Sequence, residues 1–79
     1  MDMEKWKQKA LDAIKTVPVS SIFVLKALFD GIEWDTLSRG DKINFGKFFK
    51  NEVMDGRITG VIFIGKANNN SAQYKRVDM

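Results

Sequence analysis

The last third of the sequence predicts a β-hairpin, and this hairpin constrains the fold more than any other feature. Residues 58–64 (ITGVIFI) are the strongest strand candidate because β-branched and aromatic residues predominate. Residues 65–71 (GKANNNS) predict a polar loop, and residues 72–77 return as a second strand. A two-stranded hairpin is only marginally stable alone, so the preceding residues must supply elements that cover it.

Residues 3–16 predict an amphipathic helix that Pro18 ends. Residues 20–24 (SSIFV) predict a short strand, and residues 25–30 predict a short second helix closed by Asp30-Gly31. The apolar positions of the first helix recur at three- and four-residue spacing: Trp6, Ala10, Ala13, Ile14 and Val17.

The longest predicted helix follows a connection over residues 32–37, in which Trp34 is an apolar anchor. The helix runs from about residue 38 to residue 54 and ends at Asp55-Gly56. Gly46 lies inside it at a cost of about 1 kcal/mol relative to Ala. We expect a neighbouring element to approach the backbone there; a cost tolerated without such a contact is the alternative.

The predicted order is helix, short strand, short helix, connection, long helix and hairpin, in one domain over residues 1–79. This order is typical of a winged helix-turn-helix, an α+β fold with three helices and a small three-stranded antiparallel sheet. In that fold, residues 21–24 join the sheet of the hairpin, because their backbone groups would otherwise stay unpaired beside the core.

The missing residue types exclude most catalytic and metal chemistry. The sequence contains no Cys and no His, so it offers no thiol nucleophile, no imidazole base and no zinc finger. The carboxylates show no paired spacing with a nucleophile, and the glycines form no phosphate-binding motif. We expect a protein that is not an enzyme and uses no metal, cofactor or small-molecule substrate.

The sequence also predicts a soluble protein of the cytoplasm with no membrane partner. The longest uninterrupted apolar runs have four residues, far below the roughly 20 of a membrane helix. The start, MDMEKW, is mixed in charge, and no apolar signal-peptide region follows it.

The net charge of +3 lies entirely in the C-terminal half. Residues 1–40 hold six basic and six acidic residues, whereas residues 41–79 hold seven basic and four acidic ones. An anionic partner should therefore meet the long helix and the hairpin.

Two basic groups in this half predict nucleic-acid binding. On the long helix, Lys47, Lys50, Asn51 and Met54 share a face at helical spacing, and Lys and Asn suit phosphates and base edges. On the hairpin, the second group consists of Lys66 and the three Asn of the loop, with Lys75 and Arg76 on the return strand. A wing of this kind commonly lies along a phosphate backbone. Ordinary solvated surfaces are the alternative for both groups. The candidate binding residues are Lys42, Lys47, Lys50, Asn51, Lys66, Tyr74, Lys75 and Arg76.

Two apolar features of the hairpin leave alternatives open. Tyr74 lies beside cations and either stacks on the bases of a single strand or packs in the core. Residues 61–64 are apolar on both strand faces, so one face meets either the N-terminal helix, which is the commoner outcome, or another molecule.

Several runs of this sequence resemble a family of small proteins of bacterial mobile elements and phages, long catalogued as a domain of unknown function. The likeness spans about residues 17–76 and is strongest to the version in the replication module of staphylococcal cassette chromosome elements. It implies a winged-helix protein that binds single-stranded DNA and assists an element-encoded helicase. The middle helix carries Lys26-Ala27 where the family pattern has an acidic residue. The runs are SIFVLKALF (21–29), Glu33-Trp34, Leu37, GKFF (46–49), Val53 and Tyr74-Lys75.

The sequence therefore predicts a non-enzymatic nucleic-acid-binding module, and the resemblance favours single-stranded DNA and mobile-element replication. One alternative is a regulator that binds a duplex site as a dimer. Another is an adaptor that contacts a helicase or host protein through Val61 and Phe63, or through Met54.

Overall fold

The computed structural model describes residues 2–67 and 71–77 of the chain. The predicted α+β class is confirmed, because helices accompany a three-stranded antiparallel sheet of order β1-β3-β2. The predicted loop residues Asn68, Asn69 and Asn70 lie outside the described residues. The elements are helix α1 (Met3–Ile14), strand β1 (Ile22–Val24), a 3₁₀ helix (Leu25–Leu28), helices α2 (Gly31–Asp35) and α3 (Arg39–Met54), and strands β2 (Val61–Lys66) and β3 (Ala72–Arg76).

The sheet forms as the hairpin pattern predicts, with shifted ends. Strand β3 is central, and both β1 and β2 pair with it in antiparallel orientation. Strand β2 begins at Val61 rather than at residue 58, because Gly60 has a φ of 78° and Ile58 is already buried in the turn after α3. None of the helices described in residues 2–67 is both long and apolar enough to cross a membrane.

The segment between β1 and α3 differs from the prediction. The expected helix over residues 25–30 is only the 3₁₀ turn, and the expected connection contains helix α2. Asp30 does not close a helix; its carboxylate accepts a hydrogen bond from the backbone N–H of Ile32 at 3.1 Å and caps the start of α2. Packing decides this outcome, since α2 carries Trp34 into the core, where its ring stacks on Phe29.

The core lies between the inner face of the sheet and the helices. Phe23, Tyr74 and Phe63 are directly opposite one another across β1, β3 and β2, and all three project to the helical side. Tyr74 meets Phe49 of α3 edge to face, with ring centroids 5.1 Å apart. Phe45, one turn earlier on α3, is fully buried as well.

A buried carboxylate joins α1 to α3. Glu52 is only 5% exposed, and it accepts hydrogen bonds from Lys7 Nζ at 2.9 Å and Arg57 Nη1 at 3.2 Å. The hydrogen bond from Lys7 lowers the pKa of Glu52, and the same bond raises the pKa of Lys7. A buried carboxylate without these partners would be strongly destabilising, so the pair fixes the position of α1 on α3.

Candidate nucleic-acid interface

A groove of about 510 Å³ lies between helix α3 and the β2–β3 hairpin. The junction of β1 with the 3₁₀ helix and the Trp34 side chain also contribute to its lining. The lining residues are Val24, Leu25, Lys26, Trp34, Lys42, Ile43, Gly46, Lys47, Lys50, Lys66, Ser71, Ala72 and Tyr74.

The groove is strongly basic. None of the lining residues in the described chain is acidic. Asp35 is outside the lining, and its Oδ1 lies 3.8 Å from Nζ of the groove residue Lys42. Lysines from three separate elements and the groove's concave shape concentrate positive potential there. These lysines are Lys26, Lys42, Lys47, Lys50 and Lys66.

Helix α3 contributes the lysines that its periodicity predicts. Lys47 and Lys50 both line the groove, and Lys42 does so one turn earlier. Asn51 and Met54, predicted on the same face, are exposed but lie outside the groove lining. The face predicted from the sequence is therefore divided between the groove and the open surface of the helix.

Gly46 forms part of the groove wall, and the expected close approach of another element is wrong. A Cβ placed on Gly46 would meet no heavy atom within 4 Å. The glycine therefore leaves open space beside Lys47 and Lys50. The helix tolerates the cost of Gly46 without a neighbouring contact, which is the alternative interpretation of the sequence.

A β-bulge turns Lys66 toward the groove. Phe63 lies opposite Tyr74, and regular alternation from there would direct Lys66 to the other face of the sheet. The register shifts between Phe63 and Gly65, so Lys66 lies opposite Ala72 and lines the groove. Gly65 has a φ of 130°, a conformation that other residues rarely adopt.

The structure places Tyr74 in the core and excludes a base-stacking surface on its ring. The side chain is fully buried among Phe23, Phe49 and Phe63, so the packing alternative is correct. Its hydroxyl oxygen is buried and has no hydrogen-bond partner in the described part of the chain, although the residue contributes to the groove lining. Burial raises the pKa of Tyr74 to about 12.

Lys75 and Arg76 do not join Lys66 in the groove. Lys75 lies on the outer face of the sheet, directly opposite Ile22 of β1 and Ile62 of β2. Arg76 Nη1 donates hydrogen bonds to the backbone carbonyls of Lys15, at 3.0 Å, and Val17. The basic group predicted on the hairpin is thus divided among three surfaces, and Arg76 anchors the chain that follows α1.

The outer face of the sheet is apolar and exposed. Ile22, Ile62 and Ile64 are 58%, 44% and 42% exposed. Val61 is buried and Phe63 is half-buried under Lys50, whose ammonium lies 4.6 Å from the ring centroid. The sequence indicated Val61 and Phe63 as residues that would contact another protein. The exposed apolar residues of strand β2 are Ile62 and Ile64 instead.

Sequence reasoning missed Lys26 as a groove residue. Lys26 lies in the 3₁₀ turn after β1. This turn is too short for residue spacing to predict which surface the Lys26 side chain joins. Within residues 2–67 and 71–77, no cluster of acidic side chains is arranged to hold a metal ion.

The family model described as "Domain of unknown function (DUF1413)" matches residues 8–76, which is most of the chain. The chain belongs to the DUF1413 family. This agrees with the resemblance to a family catalogued without a function. No curated protein and no solved structure matches the chain significantly.

Proposed function

We propose that this DUF1413 protein is a non-enzymatic module that binds single-stranded DNA in the groove between α3 and the hairpin. The observation that carries the proposal is the convergence of lysines from the 3₁₀ turn, α3 and β2 on one groove whose described lining is free of acidic residues. Binding phosphates releases the counterions of the strand, and this release supplies most of the affinity of non-specific binding.

The order of elements supports a winged helix-turn-helix arrangement. In this interpretation α3 is the recognition helix, the β2–β3 hairpin is the wing, and β1 completes the sheet. The groove then lies between recognition helix and wing, where a strand can meet both. Ile43, which is 49% exposed, adds an apolar contact surface for bases among the lysines of the lining.

The concave shape favours a single strand over a duplex. A rigid duplex would rest on the convex surface of α3 and use Asn51 and Met54, which lie outside the groove. The role in mobile-element replication, beside an element-encoded helicase in the cytoplasm, is part of the proposal and rests on the family resemblance.

Salt titration of binding to a labelled dT15 oligonucleotide tests the proposal. If the groove neutralises about three to five phosphates, log K against log salt should have a slope of roughly −2 to −4. Lys47→Gln should reduce the steepness by about 0.7 for each phosphate that the variant no longer neutralises. Lys5→Gln, on the exposed surface of α1, is the matched control and should bind as the wild type does.

Two results would contradict the proposal. One is a flat salt response, which would remove the phosphate-binding model. The other is tighter binding to a duplex of the same length with weaker duplex binding by Asn51→Ala, which would favour a duplex-binding regulator.

The exposed outer face of the sheet favours a second candidate function, an adaptor for another protein. Ile62 and Ile64 are neighbours on this face of β2, and Ile22 lies on the other side of Lys75. Exposed apolar side chains that lie close together are typical of protein contacts. A purified helicase encoded by the same element should then bind the wild type and not Ile62→Glu. Unchanged dT15 binding by Ile62→Glu would show that the two functions use separate surfaces.

A further inference from the structure

The hydroxyl of Tyr74 is an unusual group in this core. Its oxygen is shielded from solvent and has no hydrogen-bond partner among residues 2–67 and 71–77. Buried polar groups are almost always paired, because a group that loses water without gaining a partner destabilises the folded state. An unpaired hydroxyl at a fixed position in a small core therefore requires an explanation.

Packing does not explain the hydroxyl. The ring of Tyr74 contacts Phe23, Phe49 and Phe63, and a phenylalanine ring could make the same contacts. The oxygen adds nothing to these ring contacts. A bound molecule could supply the hydrogen-bond partner that the described residues do not.

The position of Tyr74 indicates which partner this is. Tyr74 contributes to the lining of the groove together with Lys47, Lys50 and Lys66. An anion drawn by these ammonium groups would reach the groove wall to which Tyr74 contributes. Because burial raises the pKa of Tyr74 to about 12, the hydroxyl keeps its proton at neutral pH and remains a hydrogen-bond donor.

We propose that the Tyr74 hydroxyl donates a hydrogen bond to a phosphate oxygen of the strand bound in the groove. This inference rests on the proposed function and adds a fixed phosphate position to it. Lysine ammonium groups on flexible stems attract phosphates without fixing their place, whereas the aromatic core holds the Tyr74 ring rigidly. Because the hydroxyl is shielded from solvent in the unbound chain, the side chains around it have to shift when the phosphate binds.

Tyr74→Phe tests the proposal because it removes only the oxygen. Its melting temperature should equal or exceed that of the wild type. Its affinity for dT15 should fall about tenfold, the reduction expected for one hydrogen bond to a charged group. The slope of log K against log salt should stay unchanged, because no cation is removed, whereas Lys47→Gln should change that slope.

A base-free 15-mer of the same sugar-phosphate backbone distinguishes phosphate from base as the partner. The affinity ratio of wild type to Tyr74→Phe should be the same for this strand as for dT15. A ratio that returns to one on the base-free strand would overturn the proposal, since the hydroxyl would then contact a base.

The remaining outcomes separate this inference from the proposed function. Wild-type affinity of Tyr74→Phe, with weakened binding by Lys47→Gln, would overturn the role of the hydroxyl and leave the groove as the binding site. Unchanged binding by both variants, or no binding by the wild type, would overturn both proposals. A lower melting temperature of Tyr74→Phe would show that the hydroxyl is already paired and would also overturn this inference.

Discussion

Lys50 covers Phe63: the ammonium nitrogen of Lys50 lies 4.6 Å from the ring centroid of Phe63. This interaction joins helix α3 to strand β2 and holds the Lys50 ammonium at the groove that we propose as the phosphate-binding site. A cation over an aromatic face at a partly exposed site contributes about 0.5–1 kcal/mol.

Lys50→Met should therefore lower the free energy of unfolding by no more than about 1 kcal/mol and weaken dT15 binding. Urea denaturation and fluorescence anisotropy measure the two effects. Lys47→Met is the matched control, because Lys47 lines the same groove on the same helix and is exposed. It should bind dT15 more weakly with a stability change within about 0.5 kcal/mol. Equal destabilisation of both variants would contradict a contribution from the interaction with Phe63.

Gly46→Ala should stabilise the protein by about 0.5–1 kcal/mol, because alanine is the better residue inside a helix. The added methyl group meets no heavy atom within 4 Å, so no clash offsets the gain. Thermal unfolding measures the change. Gly46→Met should retain the fold but extend into the groove and weaken dT15 binding. A destabilised Gly46→Ala variant would show that an element does approach the helix there.

Arg76→Met should lower the free energy of unfolding by about 1.5–3 kcal/mol, because it removes the guanidinium hydrogen bonds to the carbonyls of Lys15 and Val17. At a temperature where the variant is folded, its dT15 affinity should stay within about twofold of the wild type. Arg39→Met, at the exposed start of α3, is the control for removal of a positive charge. Full stability with weakened binding would restore the role that the sequence predicted for Arg76.

The pKa shifts predict reduced stability at both ends of the pH range. The pKa of Glu52 is lowered by Lys7, so its contribution is complete above the ordinary value of 4.5 and is lost as the pH falls through the lower folded value. The pKa of Lys7 is raised, so its contribution is present below 10.5 and is lost as the pH rises through the higher folded value. Tyr74 adds to the alkaline decline between pH 10.0 and about 12, because the unfolded chain ionises first.

Urea midpoints measured across pH test these directions. Glu52→Gln should be less stable than the wild type at pH 7 and should show a weaker decline below pH 4.5, because its carboxylate no longer titrates. Tyr74→Phe should show a weaker decline above pH 10.0. An unchanged acid decline in Glu52→Gln would assign that decline to other carboxylates.

Much of the local structure follows from the sequence alone. Helical spacing from Trp6 to Ile14 predicts a helix, because it puts the apolar side chains on one face. The run around Val61 predicts a strand, because it consists of β-branched and aromatic residues. These elements and their order were sufficient for the α+β class and for the sheet that joins residues 22–24 to the hairpin. The surplus of basic residues in the second half predicts that an anion binds there, and this stays a prediction.

The tertiary structure alone decided which of the basic residues line the same groove. Lys66 faces Lys47 and Lys50 only because a bulge changes the alternation of β2, and Lys26 reaches them from a turn far earlier in the chain. Tyr74 and Arg76 lie on the same face of β3, two residues apart. Tyr74 packs in the aromatic core, whereas Arg76 bonds to the chain at the end of α1. Strand periodicity specifies which residues share a face, whereas only the packing of distant elements determines what that face meets.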